Sequence, residues 1–491
     1  MFEPTVAISP DNADDELVAR ILPALSAGLV TVLPDGTVDL ELASSIETTD
    51  NLVFDVAIDL RAAFSDGTPV TSAAFVDRWQ ARALVGSGSP QRGAFAAVKG
   101  YAADPAADTL PADDAPTGDL VAAGGLMIVD SWHFRITLSS PRPEFLAELT
   151  RPAFLPALPG QDPDAAIAPG AGPYRVADAR DGDRLDLEPN PGYVGPRAPT
   201  NSGVSVRWFT DTQVALAELV AGQLDAVDRV PGADLRRWDE VLDRRIVSQP
   251  LPVLYSLVLP PEMSRLRGEE GELRVAALSL AIDRAAIADG ILGGGLPATD
   301  FMPVSMPAAS VPVGWMDGAN DVNAQRRWFE ADDFGVWNPS YTIAVVDGGT
   351  EEVIAQALAD RFQAALGIET IVLRFASVAE LEAAVEHDDL IVFRIRRSTA
   401  ASPAVTDTLQ RSLAGQMPST VRKELAAAST EPDPAEAARR AAMSQRLLSA
   451  HPPILPLASP SVSAAYGAGI HGVQLDWRGA LDLTSISPDN E

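Results

Sequence analysis

At 491 residues the chain exceeds the roughly 250–300 residues at which a single hydrophobic core stops growing, so two or three lobes are expected. With 46% hydrophobic and 21% charged residues it is a folded globular sequence, and its net charge of -31 disfavours phosphate backbones and anionic headgroups as partners. No cysteine is present, which excludes thiolate nucleophiles, disulfides and sulfur metal sites. No stretch reaches the roughly 18 apolar residues of a membrane helix, and Met1 to Asp15 has neither a basic n-region nor an apolar h-region. Lys99 and Lys423 are the only lysines among 37 basic residues, an arginine bias that points to a GC-rich genome.

In chain order, Leu52, Phe54, Val56, Ile58 and Leu60 alternate with polar and small residues and predict a half-buried strand. The turn Ser65-Asp66-Gly67-Thr68-Pro69 follows, and Thr71 is placed to cap a helix whose Phe75, Val76 and Trp79 form a buried stripe. Ala102 to Gly118, with three prolines among acidic and small residues, reads as a solvated loop, as does Ala428 to Glu436. The alternation returns at Phe134, Ile136 and Leu138, at Leu185 and Leu187, and at Val204, Val206 and Trp208. Asp178, Asp181, Asp183 and Asp186 lack the bidentate Glu of a calcium loop and suit a hairpin turn better.

Asp211 is placed to cap a helix with Leu216, Leu219 and Val220 inside and Gly222 as its stop, and Leu224 to Val230 then reads as a strand. Leu273 to Leu292 reads as a helix ending at Gly293-Gly294-Gly295. Tyr341 to Val346, Glu351 to Leu366 and Ile368 to Phe375 form strand, helix and strand, a βαβ unit that predicts an α/β lobe with parallel pairing.

Six motifs occur in order: Ala27-Gly28-Leu29-Val30 with Leu33-Pro34-Asp35-Gly36 and Glu41-Leu42-Ala43; Leu60-Arg61 with Phe64 to Thr71; Gly170-Ala171-Gly172-Pro173-Tyr174; Pro189-Asn190-Pro191-Gly192-Tyr193; Ala221-Gly222-Gln223-Leu224-Asp225; and Arg274-Val275-Ala276 with Ala281-Ile282-Asp283-Arg284. Together they resemble the family 5 extracytoplasmic solute-binding proteins, the oligopeptide, dipeptide and nickel binders of ABC importers, in an actinobacterial-looking form. Physically these motifs are scaffold: Asp66-Gly67 tightens a turn, and Gly170 and Gly172 are expected to permit backbone angles closed to other residues.

The resemblance implies an α/β, two-lobed periplasmic-binding-protein-like fold of type II, of the large cluster with an extra inserted subdomain, closing on a ligand by hinge motion. Lobe I is expected at 1–245 with the insertion at about 45–169, lobe II at 246–456, and a C-terminal return at 457–491. The implied role is capture of a peptide or other small polar solute and its delivery to an ABC permease, without catalysis or cofactor. The implied setting is extracytoplasmic: a monomeric lipoprotein whose signal and lipidated cysteine are absent from this sequence, although Met1 equally allows an unusual cytosolic member. A second reading is a nontransport cell-envelope lipoprotein of the same fold, acting in glycolipid assembly.

Catalytic and metal chemistry is not visible. His133, His387, His451 and His471 are scattered, and there is no G-x-S-x-G, Walker loop or dinucleotide fingerprint. Peptide binders of the family carry an Asp-containing strand and loop that meets the ligand's amino terminus. The corresponding stretch here, Asp389 to Ser398, carries Arg394, Arg396 and Arg397 instead, which suit a carboxylate or phosphate if they do not simply coat a strand face. Tyr255 and Trp315 are candidate flat walls of the cleft, Trp315 ahead of Trp328 and Trp337 because it lies in a Pro/Gly-rich loop.

Overall fold

The periodic stretch in the second half folds as its spacing requires. Strand Ser340–Val346 leads into helix Thr350–Leu366, Gly367 closes the helix at φ 70°, and strand Glu369–Phe375 runs parallel to the first from Ser340↔Glu369 to Val346↔Phe375. Gly367 suits that stop because a left-handed residue costs it nothing. The computed structural model describes residues 6–488 except 85, 88, 90, 103–117, 161–166, 168, 178–183, 307–319, 332–339, 388–390 and 414–416. Trp315, Trp337, three of the four clustered aspartates and most of the 102–118 loop lie outside the described residues.

Those two strands form one side of a six-stranded mixed sheet in the order Leu296–Pro297, Ile454–Ser459, Val253–Val258, Phe393–Thr399, Ser340–Val346 and Glu369–Phe375. Its helix-covered face buries Leu257, Ile343, Phe393, Ile354, Leu358 and Phe362. The opposite face buries Val258, Phe301, Leu409, Leu425, Leu448 and Ile454.

A second body is built from smaller sheets. Strands Ala43–Glu47, Val53–Ile58, His133–Thr137 and Leu126–Ile128 form an antiparallel sheet under helix Ser72–Ala83. Its core of Phe54, Phe75, Trp79, Phe134 and Phe154 is separate from the core that joins the N-terminal helix Glu16–Leu25 to Tyr174, Leu185 and Val462. Thr71 occupies the cap position of helix Ser72–Ala83 but its side chain makes no capping bond, whereas Asp211 does cap helix Thr212–Val220, accepting from Gln213 N at 2.8 Å.

Two chain segments pass between the bodies side by side. Strand Ile246–Pro250 pairs with Ser461–Tyr466 in a small three-stranded sheet, and the continuing strand Val253–Val258 pairs with Ile454–Ser459 in the large one. The chain is therefore two-lobed, with mixed α/β lobes joined by a pair of adjacent antiparallel crossings.

Further expectations change, beginning with Leu60, which lies beyond strand Val53–Ile58 and is 68% exposed. Gly170 and Gly172 lie outside the positive-φ region. They are needed because a Cβ at Gly170 would sit 1.9 Å from Leu25 O and one at Gly172 2.4 Å from Leu25 C. Val220 is 53% exposed; the inner face of its helix is Ala215, Leu216 and Leu219. The helix expected to reach Leu292 stops at Ala281 and restarts at Arg284, where Asp283 accepts from Ala286 N at 3.0 Å. The strand expected over Leu224–Val230 is confined to Ala226–Val227.

Candidate functional site

Strand Phe393–Thr399 carries three of the candidate residues, and its pairing decides where each points. It runs antiparallel to Val253–Val258 along its length, with Tyr255↔Arg397, Ser256↔Arg396 and Val258↔Arg394. Alternation then places Arg397 and Tyr255 on the face covered by helix Thr350–Leu366, and Arg394 and Arg396 on the other. The candidates thus flank one strand from both sides and do not form one patch.

The second edge of this strand is mostly open. Strand Ser340–Val346 pairs with it only at Ile343↔Phe393 and Ala344↔Arg394, so beyond Arg394 no ladder partner is present among the described residues. An open edge of this kind presents backbone donors and acceptors to an extended chain.

Tyr255 is 7% exposed, and its hydroxyl is held up from the ordinary tyrosine value by burial and by Glu351, against hydrogen bonds with the Arg397 and Thr350 side chains. Arg397 is exposed and makes no ion pair within 4 Å among the described residues. Arg396 is half-buried, and burial together with the neighbouring Arg394 guanidinium moves it below the usual arginine value. Neither arginine makes an ion pair within 4 Å among the described residues, and the buried Ser256 hydroxyl opposite Arg396 is also without a hydrogen-bond partner.

Lobe I contributes the start of helix Glu16–Leu25, capped by Asp15, whose carboxylate accepts from Leu17 N at 2.9 Å and Val18 N at 3.0 Å. Glu16 Oε1 is shared by Arg20 Nη2 at 2.7 Å and Arg229 Nη2 at 2.8 Å, while Arg20 Nη1 reaches Asp228 at 3.0 Å. Burial raises the Glu16 carboxyl, but Arg20, Arg229 and, from the other lobe, Arg397 outweigh it and hold it below the ordinary glutamate value. Arg397 and Glu16 therefore face one another electrostatically across the junction. A cavity of about 130 Å³ in lobe I borders this group through Arg20 and is lined on another side by Arg478.

Trp328 is buried in helix Asp321–Ala331, as core packing requires. Among the described residues no cluster of acidic or imidazole groups could hold a metal, and no helix is long and apolar enough to cross a membrane. Sequence reasoning missed Glu16, Arg20 and Arg229, whose relation rests on a contact across 213 positions that no local pattern encodes.

Two mixed α/β lobes, joined by paired crossings with an open strand edge at their junction, define the architecture of the extracytoplasmic solute-binding proteins. Residues 37–413 match the description of the bacterial extracellular solute-binding proteins, family 5, and the chain belongs to that family. It is 25% identical over 336 residues to the periplasmic oligopeptide-binding protein OppA of Salmonella typhimurium, covering 66% of this chain and 57% of that one. It is 24% identical over 365 residues to the periplasmic murein peptide-binding protein MppA of Escherichia coli, covering 71% and 65%. The chain thus spans less than two thirds of the length of these curated relatives. Among solved structures it matches the Escherichia coli murein tripeptide-binding protein MppA with a TM-score of 0.71 at 19% identity, covering 100% of this chain and 98% of that one. It matches HbpA2 of Haemophilus parasuis with a TM-score of 0.77 at 16% identity, covering 100% and 99%.

Proposed function

We propose that this protein is the extracytoplasmic binding component of an ABC importer, holding a peptide in extended form between its lobes and delivering it to a membrane permease. The observation that carries this reading is the open edge of Phe393–Thr399 beyond Arg394, placed where the lobes meet. An extended peptide laid along it gains main-chain hydrogen bonds worth only about 0.5–1.5 kcal/mol each, so affinity must also come from flanking side chains. Arg397 and Tyr255 on one flank, Arg394 and Arg396 on the other, and Trp315 from the sequence reading are the candidates for that role.

The family, and relatives named for oligopeptide and murein peptide binding, support the peptide as ligand class. The family and the relatives compared are substrate-binding proteins, which supports a carrier and not an enzyme. We assign the lobe division to the crossings at Pro250–Val253 and Ser459–Ser461, and propose a monomer held at the cell surface by lipidation. The glycolipid-assembly reading finds no support among the relatives compared.

Native mass spectrometry of gently purified protein, offered a random tetrapeptide pool, tests the assignment. Retention of peptides in one-to-one stoichiometry is the expected outcome. A released acylated glycolipid, or no retention at any pool concentration, would overturn it.

A further inference from the structure

Helix Val405–Leu413 begins six residues after the open-edged strand ends, and the residue before it, Ala404, preceded by Pro403, has no side chain that could cap it. The cap comes from the other lobe. Glu144, in the inserted subdomain, accepts from Val405 N at 3.0 Å, from Thr406 N at 3.1 Å and from the Thr406 hydroxyl at 2.5 Å. A carboxylate is the favoured group there because the free N–H groups and the helix dipole both present positive charge.

Two more contacts tie the same segment to lobe I. Arg151 pairs with Asp407 at 2.7 Å, with both side chains largely buried at 8% and 17% exposure. Arg478 Nη2 donates to Ala401 O at 3.0 Å. Between strand and helix, Ala400 N donates to Pro252 O at 2.8 Å, inside one of the interlobe crossings. Residues 400–407 are thus bonded in succession to the crossing, the C-terminal return and the inserted subdomain, and they continue directly from the strand whose edge is open.

We propose that Glu144, Arg151 and Arg478 are positioning residues that clamp this segment to lobe I and so set the interlobe angle. The paired crossings alone leave hinge bending free. A clamp displaced from them fixes one value of that angle, and with it the distance between the open edge and the Glu16 helix that faces it. This inference rests on the fold and its interlobe bonds, and stands whether or not the ligand is a peptide.

The absence of cysteine allows a direct test. Leu60→Cys, at a position 68% exposed in lobe I, and Met443→Cys, at a position 45% exposed in lobe II, accept spin labels for interlobe distances by pulsed dipolar spectroscopy without ligand. The parent is expected to give one narrow distribution. Glu144→Ala should broaden it about twofold and shift its mean, with Glu144→Gln intermediate and circular dichroism unchanged. Thr406→Val, which removes only a hydroxyl, should produce a smaller broadening and decides the matter if Glu144→Ala fails to fold. Parent-like distributions in folded Glu144→Ala, or in Thr406→Val should it be the only folded variant, overturn the clamp. Peptide retention by native mass spectrometry is read separately, so loss of the clamp and loss of the binding assignment are distinguishable.

Discussion

The backbone N–H of Leu251 donates to the carbonyl of Pro460 at 2.8 Å, bonding the two interlobe crossings to each other at their midpoints. Pro250 and Pro252 flank Leu251, so both neighbours have a fixed φ and Leu251 itself, as the residue before a proline, is held to extended backbone. Bending between lobes is therefore confined to a few bonds around this pair. The same economy makes the junction sensitive to what packs beneath it.

Gly479 packs there. It has φ 82°, and a Cβ on it would lie 2.4 Å from Leu251 Cδ2 and 2.6 Å from Val462 Cγ1. Gly479→Ala should lower stability by about 2–4 kcal/mol, combining the left-handed backbone with overpacking of a closed contact. Urea denaturation measures it, and a change below about 0.5 kcal/mol would show that the contact relaxes freely.

In lobe I, Glu41 is 4% exposed and serves as the counter-charge of Arg197. Glu41 Oε1 accepts from Arg197 Nε at 2.8 Å and Tyr193 Oη at 2.9 Å, and Oε2 accepts from Gly28 N at 3.0 Å, while Arg197 also donates to Pro23 O at 2.6 Å. Burial alone would lower the Arg197 guanidinium, but Glu41 overrides it and holds it above the usual arginine value. Glu41→Leu should cost about 3–5 kcal/mol, because it leaves a buried cation unpaired. Adding Arg197→Met should recover part of that loss in thermal denaturation. A double variant less stable than Glu41→Leu alone would contradict the argument.

Much of the fold is legible locally. Strand Val53–Ile58, helix Ser72–Ala83 with Trp79 inside, and the βαβ unit over 340–375 follow from side-chain period and turn residues within each segment. What failed depended on partners elsewhere. Beyond Val227 the expected strand gives way because Asp228 turns to Arg20, and Val220 is exposed because helix Thr212–Val220 buries a narrower stripe than its sequence suggests. At the site the arginines were visible in sequence, but only the register with Val253–Val258 divides Arg397 from Arg394 and Arg396. Glu144 was not visible at all, since it acts on a helix start 261 residues away.

Asp11 gives the protein an acid-sensitive tether between the N-terminal segment and helix Ser72–Ala83. Burial pushes its carboxyl up, but the Arg82 and Arg78 guanidiniums outweigh that and hold it below the ordinary aspartate value of 3.8. Arg82 Nη2 meets Asp11 at 3.0 Å and is itself 3% exposed, so losing the carboxylate leaves a buried cation with only carbonyl partners. A depressed folded-state value stabilises above the unfolded pKa, and the benefit is lost as pH falls through the folded one. Asp11→Asn should therefore cost about 1–2 kcal/mol at pH 7, a modest figure because the carboxylate is half-exposed. The difference from the parent should shrink toward zero as pH drops below about 3.8. A pH-independent difference in denaturant midpoints would refute the charge argument.

Arg397 separates a ligand role from a structural one more cleanly than its neighbours. It is exposed, unpaired within 4 Å among the described residues, and its guanidinium acts on the neighbouring Tyr255 hydroxyl. Arg397→Gln should therefore change folding stability by no more than about 0.5 kcal/mol. If the guanidinium meets a carboxylate of the bound peptide, the same change should weaken binding about tenfold or more, since charge-assisted bonds at a desolvated junction contribute more than neutral ones. Titrating parent and variant with tetrapeptide pools, one with free carboxyl ends and one amidated, reads this directly. Selective loss for the free-acid pool assigns Arg397 to carboxylate recognition, whereas equal affinities of parent and variant for both pools would mean that the guanidinium does not meet the bound ligand.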